Sequence, residues 1–416
     1  TSARQNRPVP VPPDARPATA HARPPTRRRL LGTAGSLLAG WAGPIRAEPN
    51  PEAITWRIGP GRLHTTLAAA LREAHDGDTI ELDAGVYTGE VGVVTQRRLT
   101  LRGVGGSAVL DAQGRHALGK GTLVVTGGDI TVENLEFRGA RVPHHNGAGI
   151  RLDGGRLSVR RCRFIDNQMG ILTGNRPDIE LHIEDSLFAQ APRDTGALHH
   201  LLYVGRIGRF SVRGSRFENG WHGHLLKSRA QHSVIEYNLI HDGPLGSASY
   251  EIDLPEGGLA RIIGNVIGQS RQTQNVALLS FGAEGGHWPR HALHLAHNTF
   301  VSDYPGIARF VQIWTERLGS PPDVQVINNL AVGPGWLGPG LPGRHEGNWP
   351  ALSAWFTDAR AMDWRLPPGS VLRGAGVDPR REPGPDLRPR AEFTWPTGTR
   401  ALDADPVRWT PGAFQR

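Results

Sequence analysis

The chain has 416 residues, of which 47 are Lys or Arg, 39 Asp or Glu and 18 His, for a formal net charge of +8. Most of that excess is N-terminal: residues 1–47 hold eight Arg against Asp14, a net +7, and the rest carries 39 basic and 38 acidic residues, a net +1. A basic footprint for nucleic acid is therefore absent from the part expected to fold, and a single cysteine, Cys162, excludes an internal disulfide.

In chain order, residues 1–47 read as a targeting segment and disordered leader. Thr26-Arg27-Arg28-Arg29-Leu30-Leu31-Gly32 resembles the twin-arginine export motif, Leu30 to Gly43 supplies a Gly/Ala-rich apolar stretch, and Ala47 is a cleavage point. No later apolar run is long enough to span a membrane. The expectation is a monomeric protein handed to the twin-arginine machinery and delivered to the periplasm or secreted.

Residues His64 to Ala74 place apolar side chains at helical spacing and predict an amphipathic helix that caps one end of the fold. Short segments of one type follow. Ile130–Phe137, Leu157–Phe164, His182–Phe188, Phe210–Phe217, Val234–Ile240, Arg261–Ile267, His294–Phe300 and Gln325–Ala331 align on one column: Leu135, Cys162, Ser186, Ser215, Asn238, Asn265, Asn298, Asn329. The steps are 27, 24, 29, 23, 27, 33 and 31 residues, a solenoid period. Val, Ile and Phe alternate with polar residues and Gly, Asn and Asp separate the segments, so the units are strands. The expected fold is all-β, a single-stranded right-handed parallel β-helix spanning residues 48–335, with like residues stacked from coil to coil. Stacked Asn side chains would then form an amide ladder along the axis, and Cys162, in the same column, is read as a small buried residue. Residues 336–416, rich in Pro, Gly and Trp, read as an irregular C-terminal cover.

These features resemble the parallel β-helix proteins of the pectate lyase superfamily, over about residues 54–375. The resemblance rests on the cap helix with Gly77-Asp78-Thr79-Ile80 and Gly85-Val86-Tyr87, on the Asn ladder, and on Asp363-Trp364-Arg365-Leu366-Pro367-Pro368-Gly369-Ser370. It implies the fold and leaves the reaction open among lyases, hydrolases, epimerases and esterases.

Chemistry is densest at His222-Gly223-His224-Leu225-Leu226-Lys227-Ser228-Arg229, followed one repeat later by Tyr250-Glu251-Ile252-Asp253. Lys227 is one of only two lysines, with Lys120, in a chain that otherwise uses Arg, and an amine can give up a proton where a guanidinium cannot. The strands ahead of the ladder segments end at Tyr203, Lys227, Asp253 and Ser280, and their outward side chains would line a groove. Glu251 and Asp253 are two apart and are expected on one face, close to Lys227 of the adjacent coil. Such a cluster suits β-elimination on a uronic-acid polymer, which needs a grip on the carboxylate, a base and an acid. Arg229 would hold the carboxylate, Lys227 act as base, and Tyr250 or a histidine as acid. Tyr203, His222, His224, Asn275 and Glu284 are candidate substrate-binding residues, and Trp221 and Trp288 candidate stacking platforms. His222-x-His224, His144-His145 and His199-His200 read as stacked, solvent-facing histidines and not as metal ligands. The alternatives are a glycoside hydrolase using Glu251 and Asp253, or a non-catalytic glycan-binding or envelope protein.

Locally, Lys227-Ser228 with Asn238 beyond is similar to the lysine region of the alginate lyase and chondroitinase B family, which implies Lys227 as the Brønsted base. That family's Arg-His-Gly one coil later is replaced here by Ser249-Tyr250-Glu251-Ile252-Asp253. Its acidic calcium ligands before the lysine are replaced by Gly220, Trp221 and His222. The motif therefore supports no calcium, and no cofactor is assigned.

Overall fold

The computed structural model describes residues 53–194, 196–338, 340–380 and 384–416; the export segment expected in residues 1–47 lies outside them. Each repeat segment folds as two short strands around a sharp corner, for example Asp129–Glu133 then Leu135–Arg138, and Arg156–Arg160 then Arg163–Ile165. The corner has one cause throughout. The residue before each ladder position (Asn134, Arg161, Asp185, Gly214, Tyr237, Gly264, His297, Asn328) has φ between +50° and +68°, so the chain turns there and resumes extended.

Successive coils pair in parallel, in register, building a parallel β-solenoid of about ten turns. The third strand of each coil joins a ten-stranded parallel sheet that runs in chain order from Gly92–Val94 to Gly335–Trp336. Inside, Phe137, Phe164, Phe188 and Phe217 stack with ring centroids 5.3, 4.7 and 4.7 Å apart. The ladder column is continuous. Ser215 N donates to Asn238 Oδ1 (2.9 Å), Asn238 N to Asn265 Oδ1 (2.9 Å), Asn265 N to Asn298 Oδ1 (3.0 Å) and Asn298 N to Asn329 Oδ1 (2.9 Å). It extends one coil further than the sequence alignment did, through Asn329 N to Asn348 Oδ1 at 2.9 Å. Cys162 sits in that column fully buried, its Sγ donating to Arg160 O (3.3 Å), and burial pushes its thiol up to about 12.

The capping helix is shorter than its sequence pattern, Leu67–Glu73, because Thr66 caps its N-terminus by accepting from Ala69 N (3.3 Å). Leu67, Ala70 and Leu71 bury its apolar face. The C-terminal segment is not only an end cover. Trp364, Leu366, Leu372 and Phe393 pack on Leu239, Val266, Val301 and Leu330 along the outer flank of the coils. It reaches back to Gly214, whose carbonyl accepts from Gly398 N (2.7 Å), and to Tyr237, whose hydroxyl accepts from Arg390 N (2.8 Å). Apolar side chains on the outer face of those strands need covering, and this segment covers them. Among the described residues no helix is long and apolar enough to cross a membrane.

Candidate active site

The ten-stranded sheet presents one outward column across consecutive coils: Arg151, Leu172, Tyr203, Lys227, Asp253, Ser280 and Gln312, each in register with the next. Strand Leu226–Ser228 places Lys227 in it, with Leu226 in the core and Ser228 held inside by Ser233 Oγ at 3.0 Å. Lys227 Nζ lies 3.2 Å from Asp253 Oδ2 and 3.0 Å from Glu284 Oε1. Burial lifts the Asp253 carboxyl above the usual carboxylate range, against the pull of Lys227.

A second line of charges stands just past the strand ends. Arg229 donates to Glu284 Oε2 (Nη2, 2.5 Å), lies 3.2 Å from Glu256 Oε1, and bonds to the Tyr203 hydroxyl. Arg206 holds Glu256 from the other side at 2.7 Å. Three cations (Arg206, Lys227, Arg229) thus interlock with three carboxylates (Asp253, Glu256, Glu284). Asp253 and Glu256 are buried, whereas the Glu284 side chain is 45% exposed and forms the lid of the cluster. Burial opposes ionisation of Glu284, but its bonds to Arg229 and Lys227 prevail and hold its carboxyl below the ordinary value. Trp288 braces the arrangement, its indole N–H donating to Arg229 O at 3.0 Å.

Histidines pack against one side. The His200 and His224 rings lie 4.7 Å apart, His224 and Tyr250 5.1 Å, and His224 Nε2 is 3.4 Å from Asp253 Oδ2. His224 Nδ1 accepts from Tyr250 N (3.3 Å), so the neutral ring carries its hydrogen on Nε2, facing Asp253. Burial, reinforced by Lys227, pushes His224 down to about 3, and burial likewise pushes His200 far below its ordinary value.

Several expectations change. His199 and His200 are buried, and His224 nearly so, where solvent-facing stacks were expected: His199 is bridged to Trp221 and His222 of the next coil, and the His200 and Tyr250 rings pack on either side of His224. His222 alone is exposed in that run, stacked on Trp221 at 4.7 Å and away from Lys227. Trp221 lies under Arg193 (5.0 Å). Asn275 sits in the loop just ahead of strand Ala277–Phe281, with Nδ2 3.5 Å from Ser249 Oγ, outside the charge cluster.

Glu251 departs most. It is fully buried and does not share the face of Asp253. The chain turns a corner immediately before this sheet, so two consecutive residues point inward: Leu201 and Leu202, Leu225 and Leu226, Leu278 and Leu279 all belong to the core. Glu251 is the member of that leucine column one coil after Leu225. Its carboxyl, pushed well up by burial and then by Asp242, has no hydrogen-bond partner on either oxygen among the described residues. Asp242 accepts from Gly220 N (2.7 Å) and Ala248 N (2.8 Å), and burial lifts it to about 6. A pair of catalytic carboxylates at Glu251 and Asp253 is not formed.

Glu256 and Arg206 were missed, and His200 was read only as a solvent-facing histidine. Aligning the coils on the outward column places Arg206, Arg229, Glu256 and Glu284 three, two, three and four residues after it, a periodic charge signal that ladder alignment alone did not use. Calcium does not fit where the family resemblance puts it: Gly220-Trp221-His222 offers no carboxylate, and the groove carboxylates Asp253, Glu256 and Glu284 are engaged by Lys227, Arg206 and Arg229.

No family model and no curated protein matches the chain. Solved structures do: pectate lyase Pel9A is 14% identical with a TM-score of 0.59, covering 87% of this chain and 96% of that one. A family 6 polysaccharide lyase from Pseudopedobacter saltans is 12% identical with a TM-score of 0.41, covering 76% of this chain and 96% of that one. The chain therefore has a pectate-lyase-like parallel β-helix fold. At this identity the likeness is one of fold and leaves the reaction to the site.

Proposed function

We propose that the chain cleaves a uronic-acid-containing polysaccharide by β-elimination, in the groove centred on Lys227. The observation that carries this reading is Glu284, a half-exposed carboxylate gripped at once by Arg229 (2.5 Å) and Lys227 (3.0 Å). That is the environment a substrate uronate carboxylate requires beside a base. On binding, the substrate carboxylate displaces Glu284 and pairs with Arg229, which stabilises the charge that develops when the adjacent C–H proton leaves. Lys227 passes its ammonium proton to Asp253, whose buried carboxyl favours the protonated form, and the free amine takes the carbon-bound proton. The glycosidic C–O bond then breaks and a double bond forms in the ring.

The leaving oxygen takes a proton from Tyr203, the register partner of Lys227, whose hydroxyl already meets Arg229. Tyr250, the acid expected from sequence, instead has its ring against His224 and supports it. A lyase-type fold and a leader with a twin-arginine motif together support action outside the cytoplasm.

The test is a panel of uronic-acid polymers incubated with the protein. Ultraviolet absorbance from an unsaturated uronide is the expected result, lost in Lys227→Ala. Reducing ends without that absorbance would point to hydrolysis, and retention of glycan without cleavage to a binding protein; either outcome overturns the reading.

A further inference from the structure

We propose that His145, Asp194 and His199 form a binding site for a zinc-type divalent cation at the edge of the groove sheet. The three residues come from two loops. His145 lies in the turn before strand Ala148–Leu152, with its backbone at φ +57°, and Asp194 and His199 lie in the loop leading to strand His200–Val204. Their separations in sequence, 49 and 5, match no metal motif, so only the fold brings them together.

Asp194 stands between the two rings: Oδ1 bonds to His199 Nε2, and Oδ2 is 3.6 Å from His145 Nδ1. All three donor atoms lie within 4.8 Å of one another, and among the described residues this is the one such group of three or more His, Cys, Asp or Glu. Zinc bonds of about 2.0–2.1 Å to nitrogen and oxygen in a tetrahedron put neighbouring donors about 3.4 Å apart, close to what is already present. Two imidazoles and one carboxylate form a nitrogen-rich set that suits zinc and its neighbours, whereas calcium takes oxygen ligands.

One donor is rigid and the others are accessible. His199 is fully buried, and its backbone is bridged to Trp221 and His222. The His145 and Asp194 side chains are 53% and 38% exposed, which leaves a fourth position open to water or an incoming oxygen ligand. Arg141, the cation closest in sequence to His145, is engaged by Asp166 at 2.6 Å. Because His200, next to His199, packs against His224, the ion would tie both loops to the groove edge beside Lys227.

The test uses the full chain, stripped with chelator, and zinc or cobalt(II) as the probe. Uptake of one tightly held equivalent is expected, with a cobalt(II) visible spectrum of a low-coordinate nitrogen/oxygen site and a rise in unfolding temperature on adding zinc. His145→Ala, at an exposed position, and Asp194→Asn should each weaken zinc at least about tenfold and abolish the zinc-dependent thermal shift. Equal zinc binding by the variants, no binding by the parent chain, or preference for calcium over zinc would overturn the proposal. A role limited to the His199–Asp194 hydrogen bond would appear as destabilised Asp194→Asn with no zinc response in any form, and would overturn it too. None of these readouts depends on glycan cleavage.

Discussion

Lys227 Nζ and Asp253 Oδ2 stand 3.2 Å apart on adjacent strands, in register, with both residues more than nine-tenths buried. A buried cation beside a carboxyl that burial holds above its usual range is a pair between which a proton can be shared. Lys227→Arg keeps the cation over Asp253 but removes an amine able to deprotonate. The expected result is a folded protein, judged by unchanged circular dichroism, with turnover lowered at least about a hundredfold. Retained turnover in that variant would remove Lys227 from the base role.

Glu284→Gln addresses the lid. Glu284 competes with a substrate carboxylate for Arg229 and Lys227, so its neutral isostere should lower KM for an acidic oligosaccharide and leave kcat within a few-fold. The side chain is 45% exposed, so the ion pairs lost are screened and the stability change should stay within about 1 kcal/mol. A raised KM would mean that Glu284 positions substrate and does not mimic it.

Glu251→Leu restores the leucine column of Leu201, Leu225 and Leu278. It removes a buried carboxyl without partners and should stabilise the fold by about 1–3 kcal/mol at neutral pH, measured by denaturant unfolding. The pH dependence has a definite sign. A carboxyl raised in the folded state binds its proton more tightly there than in the unfolded chain. Its penalty is therefore absent below the ordinary value of 4.5 and grows as pH rises above it. The advantage of leucine over glutamate should widen in that direction, with glycan cleavage unchanged.

Asn298→Ala breaks the ladder at its centre. Asn298 Oδ1 accepts from both Asn265 N and Asn265 Nδ2 at 3.0 Å, and both donors are buried. Asn265 Nδ2 keeps Ile235 O as an acceptor (2.8 Å), but Asn265 N is left unpaired, which should cost about 1–3 kcal/mol, read as a lower midpoint in urea. A neutral effect would mean that water enters the turn and replaces the amide.

The repeat was legible because a stacked coil forces the same residue type into the same place every 23 to 33 residues. Asn238, Asn265, Asn298 and Asn329 announced the ladder, and only Asn348, one shortened coil of 19 residues later, escaped the alignment. Lys227 beside Asp253 followed from the same spacing. Glu251 did not, because side chains alternate only within an extended strand, and Glu251 lies at the corner just before one. Glu256 and Arg206, 50 residues apart, meet only because two coils separate them in the stack.

By itself, then, the sequence determined the coiled β architecture, its ladder and the strand on which the rare lysine sits, since these follow from local periodicity repeated many times. Tertiary structure decided which carboxylates meet that lysine, which histidines are buried, and that His145, Asp194 and His199 converge. Those depend on corner geometry and on loops that share no period, and a single pass along the chain carries no distance between them.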